Sequence, residues 1–114
     1  MIETERQDLR DYLAREAMGY VVENPTAPRW LQRYFNGLLV DDYRPDSPNS
    51  PASQLLGVID KMRQRGFILR MVQMGNGEWE AWFNTGRMTR LVVYNSDMLL
   101  TICLAARAVL EGEK

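Results

Sequence analysis

The side-chain inventory excludes the most common catalytic schemes. The 114-residue sequence contains no histidine and a single cysteine, Cys103. Histidine is the usual general base and the usual zinc ligand in proteins, so Ser-His, Cys-His and zinc-hydrolase mechanisms are excluded. Cys103 lies among apolar residues with no cation beside it, which is typical of an inert buried thiol and not of a nucleophile.

Two groups of carboxylates remain as candidates for metal binding or acid–base chemistry. Asp41, Asp42 and Asp46 could offer oxygen ligands to Mg²⁺ or Ca²⁺, but they lack the glycine and the terminal glutamate of a calcium-binding loop. Glu78 and Glu80 share one face of a predicted strand, and without a second acidic cluster they are a weak signal of hydrolase chemistry. We therefore predict no catalytic residue, no metal and no cofactor, and we expect that the protein is not an enzyme.

Aromatic rings and guanidinium groups alternate along one segment and are the residues best suited to binding. Such groups stack on nucleotide bases and form the energetic centres of protein interfaces. The alternative is that the rings pack the edge of the core while the arginines keep their charged ends in water. The predicted partner-binding or ligand-binding residues are Arg29, Trp30, Arg33, Tyr34, Tyr43 and Arg44, together with Trp82 on a later strand.

These residues lie mostly in a proline-rich join between the first two predicted helices, at about residues 21–50. All five prolines fall between Pro25 and Pro51, so regular structure there must be short. Within the join, Asn36-Gly37 favours a two-residue turn, because both residues tolerate positive φ angles. The sequence therefore predicts a short hairpin, with arms at residues 30–35 and 38–43.

Apolar residues recur at three- and four-residue steps in three other segments, which predicts three helices. The expected ranges are 4–18, 51–65 and 98–110, with Thr4, Ser50 and Ser96 as N-terminal caps. The third helix is apolar on nearly all sides. It should lie between two layers of the domain, or else part of it should form a contact between subunits.

Between the second and third helices, the pattern predicts a three-stranded antiparallel meander. The expected strands are 67–74, 78–84 and 88–94, separated by Gly75-Asn76-Gly77 and by Thr85-Gly86. Both faces of the first strand carry apolar side chains, so we expect cover on both faces of the sheet. Trp82 would then be covered by a helix or exposed as an anchor for a partner. The expectation is one α+β domain over residues 1–114, similar to an α/β/α sandwich.

Four segments of the chain resemble the phage ABA sandwich domain, a family of small bacteriophage and prophage proteins. The segments are Leu13-Ala-Arg-Glu-Ala-Met-Gly-Tyr20, residues 58–66, Glu78-Trp-Glu-Ala-Trp-Phe83 and residues 100–110. The resemblance implies helices on both sides of a small antiparallel sheet, a phage or prophage origin and no established biochemical activity. It supplies no catalytic residues.

Charge and hydropathy limit the class of partner. Fourteen basic residues face fifteen acidic ones, so there is no overall positive field of the kind that draws proteins to nucleic acid or anionic lipid. No apolar run approaches the roughly 20 residues needed to cross a bilayer, and no N-terminal segment has the pattern of a secretory signal. We expect a protein of the host bacterial cytoplasm, with no membrane partner.

Together these observations favour a non-enzymatic phage accessory protein that binds and occupies a host or anti-phage-defence component. The contact would use the join or the third helix. One alternative is a protein that sequesters a small ligand, a nucleotide or nucleic acid in a pocket between the join and the sheet. Another is a structural subunit that forms homo-oligomers through the third helix.

Overall fold

A computed structural model of the protein describes residues 1–84 and 91–112, which form three helices and one open sheet. The helices are α1 (Glu3–Glu16), α2 (Ala52–Gln64) and α3 (Met98–Gly112), and the strands are β1 (Ile68–Gln73), β2 (Trp79–Asn84) and β3 (Val93–Asn95). The strands are antiparallel in the order β1-β2-β3. The α+β class and the antiparallel meander are confirmed. The predicted turn at Thr85-Gly86 and the beginning of the predicted third strand lie outside the described residues.

The apolar helix α3 forms the centre of the domain. It contacts β2 and β3 on one side, and it also contacts α1 and α2. Eight of its residues are buried, among them Thr101, Cys103 and Ala106. A helix with neighbours on several sides needs little polar surface, and its position between layers explains its composition.

The sheet has one covered face and one open face. Leu69, Met71, Ala81, Phe83 and Val93 share one face by strand register, and all of them belong to or pack against the core. None of the described residues on the opposite face is buried.

Helix cover was expected on both faces of the sheet, and in the described part of the chain it is present on only one. Ile68, Val72 and Tyr94 are exposed on the open face. Their apolar character suggested burial, but β-branched and aromatic residues also favour strands for conformational reasons.

The join folds as short turns instead of a regular hairpin. The turn at Asn36-Gly37 is present, with Gly37 at φ +91° and its N–H donating to the Tyr34 carbonyl at 2.9 Å. Residues Arg29–Leu31 and Val40–Asp42, however, each form one turn of 3₁₀ helix. Because both arms curl in this way, strand pairing is limited to isolated bridges.

The N-terminal cap residues of the helices differ from the prediction by one or two positions. The α2 helix begins at Ala52, so Pro51 and not Ser50 occupies the cap position. At α3 the cap is Asp97 and not Ser96, because the Asp97 carboxylate accepts a hydrogen bond from the Leu100 N–H at 3.2 Å. No helix in the described ranges has both the length and the apolar character needed to cross a bilayer.

Candidate interaction surface

The join exposes large apolar side chains on its outer side. Trp30 is 69% exposed and Phe35 is 70% exposed. We use the name join surface for the exposed large apolar side chains and exposed arginines of this segment, which are Val21, Trp30, Leu31, Arg33, Phe35, Leu39 and Arg44. Aromatic rings and arginines are the residue types that most often dominate binding energy at protein interfaces.

Arg29 ties the join to α1. Its guanidinium donates two parallel hydrogen bonds to the Asp11 carboxylate, at 2.8 and 3.0 Å, and a third to Asp41 at 2.8 Å. Hydrogen bonding to Asp11, only partly opposed by burial, raises the pKa of Arg29. Three of its five donors are therefore occupied within the chain. Arg29 acts as an anchor that positions the neighbouring Trp30, and its contact with a partner stays a prediction.

Tyr34 and Tyr43 lie beneath the join surface. Their rings pack with Tyr20 at centroid distances of 5.3 and 5.6 Å, and with each other at 6.4 Å. Burial, helped by the nearby Asp11 carboxylate, raises the pKa of Tyr34 to about 12. Both rings are buried in the core. Their rings are used for internal packing, and the prediction that they contact a partner stays a prediction.

Two amide side chains brace the same segment. Asn24 donates to the Leu31 carbonyl at 3.0 Å and accepts from the Arg33 backbone N–H at 3.0 Å. Gln32 donates to the Pro25 and Ala27 carbonyls at 3.2 and 3.1 Å. These side chains satisfy backbone groups that have no partner in a helix or a strand, and they hold the irregular chain in one conformation.

The remaining predicted residues have different surroundings. The Arg33 side chain is exposed and has no hydrogen bond or ion pair within the described residues. Arg44 is also exposed, and its Nε donates to the Asp41 carbonyl at 2.7 Å. Trp82 is half-buried on the open face of the sheet and belongs to β2, not to the join. The structure thus groups Trp30, Arg33 and Arg44 on one segment and places Trp82 on a separate element.

A half-open cavity of about 340 Å³ lies between α1 and the join. Its lining includes Asp11, Arg15, Tyr20, Arg29 and Tyr34. The volume falls within the range of small-molecule sites. The charge of Arg29 is already balanced by its two aspartates, and the Asp11 carboxylate would repel an anion that entered the cavity.

A buried ion cluster around Asp46 was missed at the level of sequence. Asp46 is fully buried and accepts two hydrogen bonds from Arg10, at 2.6 and 3.0 Å, and one from Arg6 at 3.0 Å. Burial alone would raise the pKa of Asp46, but the hydrogen bonds and charge of Arg10, helped by Arg6, hold it below the ordinary value. Arg6 also reaches Asp97 at 3.3 Å, so the cluster joins α1, the end of the join and the start of α3.

One sequence signal pointed to this cluster. Arg6 and Arg10 stand four residues apart and continue the stripe of Leu13 and Ala17, which are both buried. A cation on an apolar stripe requires a buried counter-charge. Within the described residues, no group of three or more acidic or cysteine side chains is arranged to hold a metal ion, so the structure offers no support for metal binding by Asp41, Asp42 and Asp46.

Comparison of the chain with protein-family models, curated proteins and solved structures found no match. The resemblance to the phage ABA sandwich domain therefore stays a prediction.

Proposed function

We propose that the protein acts by binding, and that it uses the join surface to occupy a site on a target protein. The observation that carries this proposal is the exposure of Trp30 and Phe35 on a segment that is firmly held to the domain. Large exposed apolar patches often mark protein–protein interaction sites.

The available binding energy is sufficient for such a role. Aromatic side chains bury roughly 150–250 Å² each, so covering the exposed part of one ring stabilises a complex by about 2–4 kcal/mol. Binding normally costs conformational entropy, because loops and side chains must become ordered. Arg29, Asn24 and Gln32 already hold the join in one conformation, which reduces that cost.

The class of target follows from resemblance and charge. The phage-like segments favour a host or anti-phage-defence component as the target. Arg33 and Arg44 are exposed on the same segment as Trp30, so a partner that carries carboxylates around an apolar pocket would match these residues. Inhibition by occupancy needs such a surface and no catalytic group.

The test compares matched alanine variants in capture from bacterial lysate. Trp30→Ala and Arg33→Ala should each lose the proteins that the wild-type chain retains. Leu56→Ala and Arg63→Ala remove equally exposed side chains on α2 and should retain them. Melting temperatures should agree among all variants, since exposed substitutions change stability by about 0.5 kcal/mol or less. Equal capture by the Trp30 and Leu56 variants, or no specific capture by the wild type, would contradict the proposal.

The cavity beside α1 supports a second candidate function, the binding of a small ligand. Tyr20 and Tyr34 supply rings for stacking, and Arg15 supplies an exposed cation. The Asp11 carboxylate in the same cavity would repel a nucleotide phosphate. For this reason we rank ligand binding below protein binding. Thermal shift measurements with a panel of nucleotides test it: a rise in melting temperature that Tyr20→Ala abolishes would reverse the ranking.

A further inference from the structure

The outer edge of β1 is a strand edge that no other described strand pairs with. β1 is the terminal strand of the sheet and pairs only with β2 among the described residues. The N–H of Met74 donates to the Glu78 carbonyl at 2.8 Å, so even-numbered residues of this strand direct their backbone groups to β2. The backbone groups of Leu69, Met71 and Gln73 therefore point outward.

Natural edge strands usually carry features that prevent pairing with another chain. Such features include proline, bulges, very short strands and charged side chains, and β1 has one of them, the exposed charge of Arg70. β1 spans six residues with continuous register and contains no proline or glycine, whereas the opposite edge strand, β3, has three residues. The open face beside β1 also exposes Ile68 and Val72. Among the described residues, the outer backbone edge of β1 therefore has no pairing strand, and apolar side chains are exposed beside it.

We infer that β1 pairs antiparallel with β1 of a second copy of this chain, which gives a continuous six-stranded sheet. We place the two-fold axis at Met71, near the middle of the strand. In this register Leu69, Met71 and Gln73 can all form backbone hydrogen bonds to the second copy. Met71 then faces its own equivalent, and Leu69 faces Gln73 of the second copy. This register forms about six inter-chain hydrogen bonds.

The charges on the open face fit this register. Within one chain, Val72 is the cross-strand partner of Glu80. In the dimer, Arg70 faces Val72 of the second copy. Arg70 and Glu80 of that copy therefore lie on the same line of cross-strand neighbours, two strands apart. Strands are about 4.8 Å apart, so the two Cα atoms lie about 10 Å apart, within reach of an arginine and a glutamate side chain. Neither residue forms an ion pair within the described part of its own chain. The two-fold axis creates this complementary pair twice.

The first test is the molar mass in solution, measured by light scattering coupled to size-exclusion chromatography over a range of concentrations. We expect the wild-type chain to give twice the monomer mass. Met71→Pro should give a folded monomer, because it removes an N–H that faces outward and leaves the bonds to β2 in place. Met71→Ala keeps that N–H and should remain a dimer. A monomeric wild type at every concentration, or a Met71→Pro variant with unchanged dimer mass, overturns the inference.

The second test reverses the charges. Arg70→Glu and Glu80→Arg should each raise the dimer dissociation constant by about tenfold or more, because each places like charges in one row. An equimolar mixture of the two variants should form heterodimers with restored affinity, which only a contact between chains can produce. If the mixture dimerises as weakly as either variant alone, the proposed register is wrong. Both tests leave the join surface untouched, so their failure is independent of the capture experiment.

Discussion

The Asp46 ion cluster provides the sharpest test of the fold. Asp46→Asn keeps the size of the side chain but removes the charge that balances Arg10. The Asp46 side chain has no exposed surface and Arg10 is 8% exposed, so without the Asp46 charge the buried arginine would keep only its ion pair with the largely exposed Glu3, at 2.7 Å. Breaking a buried ion pair by removing one member costs about 3–5 kcal/mol.

This loss is large compared with the stability of a domain of this size. At about 0.05–0.15 kcal/mol per residue, unfolding of the whole chain requires roughly 6–17 kcal/mol. The unfolding entropy of about 2.1 cal/mol/K per residue converts 3–5 kcal/mol into a fall of about 12–20 °C in melting temperature. Guanidinium denaturation followed by circular dichroism measures the free energy directly, and a thermal melt gives the temperature.

The matched control is Asp60→Asn on α2. Asp60 also accepts hydrogen bonds from an arginine, at 2.7 Å from Arg63, but this pair lies in solvent. Exposed ion pairs contribute little to stability, so Asp60→Asn should have the same melting temperature as the wild type. If Asp46→Asn also lies within about 1 kcal/mol of the wild type, the premise that Asp46 is the main counter-charge of the buried Arg10 is wrong.

Three further predictions each concern one buried side chain. Pairing with the arginines lowers the pKa of Asp46 in the folded protein. The stabilisation by Asp46 is therefore complete above the ordinary carboxyl pKa of about 3.9 and is lost as the pH falls through the folded-state pKa. The difference in unfolding free energy between the wild type and Asp46→Asn should narrow in acid. A gap that stays constant to low pH would refute this assignment. Tyr43 is 1% exposed and its hydroxyl has no hydrogen-bond partner among the described residues, so Tyr43→Phe should melt at the same or a higher temperature, whereas Tyr43→Ala should cost about 3–5 kcal/mol. A marked loss in the phenylalanine variant would indicate a bonded hydroxyl. Burial raises the pKa of the Cys103 thiol, so a thiol reagent at neutral pH should label the chain only after denaturant is added, and rapid labelling of the native protein would contradict its burial.

Local patterns in the sequence were enough to predict the three α-helices, the three strands of the sheet and their order. Gly75-Asn76-Gly77 is short enough to force an antiparallel connection between β1 and β2, and the structure has that connection. The apolar composition of α3 predicted either a central helix or a subunit contact, and the structure places it at the centre. These features depend on residues that are close in sequence, where spacing carries most of the information.

Contacts between distant residues were not predicted. Arg10 and Asp46 are 36 positions apart, and nothing near Asp46 distinguishes it from a solvated turn residue. Tyr34 and Tyr43 were placed on a binding surface because tyrosine serves equally well in cores and in interfaces. In the join, only tertiary contacts decide which rings turn inward, so Trp30 and Tyr34 could not be told apart from composition.

The most direct test of binding by the join surface is amide hydrogen exchange in the free protein and in complex with the captured target. In the free protein, the amides of Glu23, Tyr34, Phe35 and Val40 should exchange slowly, because each donates a backbone hydrogen bond of 2.8–3.1 Å. In the complex, additional slowing should be concentrated at residues 29–39. Unprotected amides throughout the free join, or slowing in the complex that spares these residues, would contradict the account.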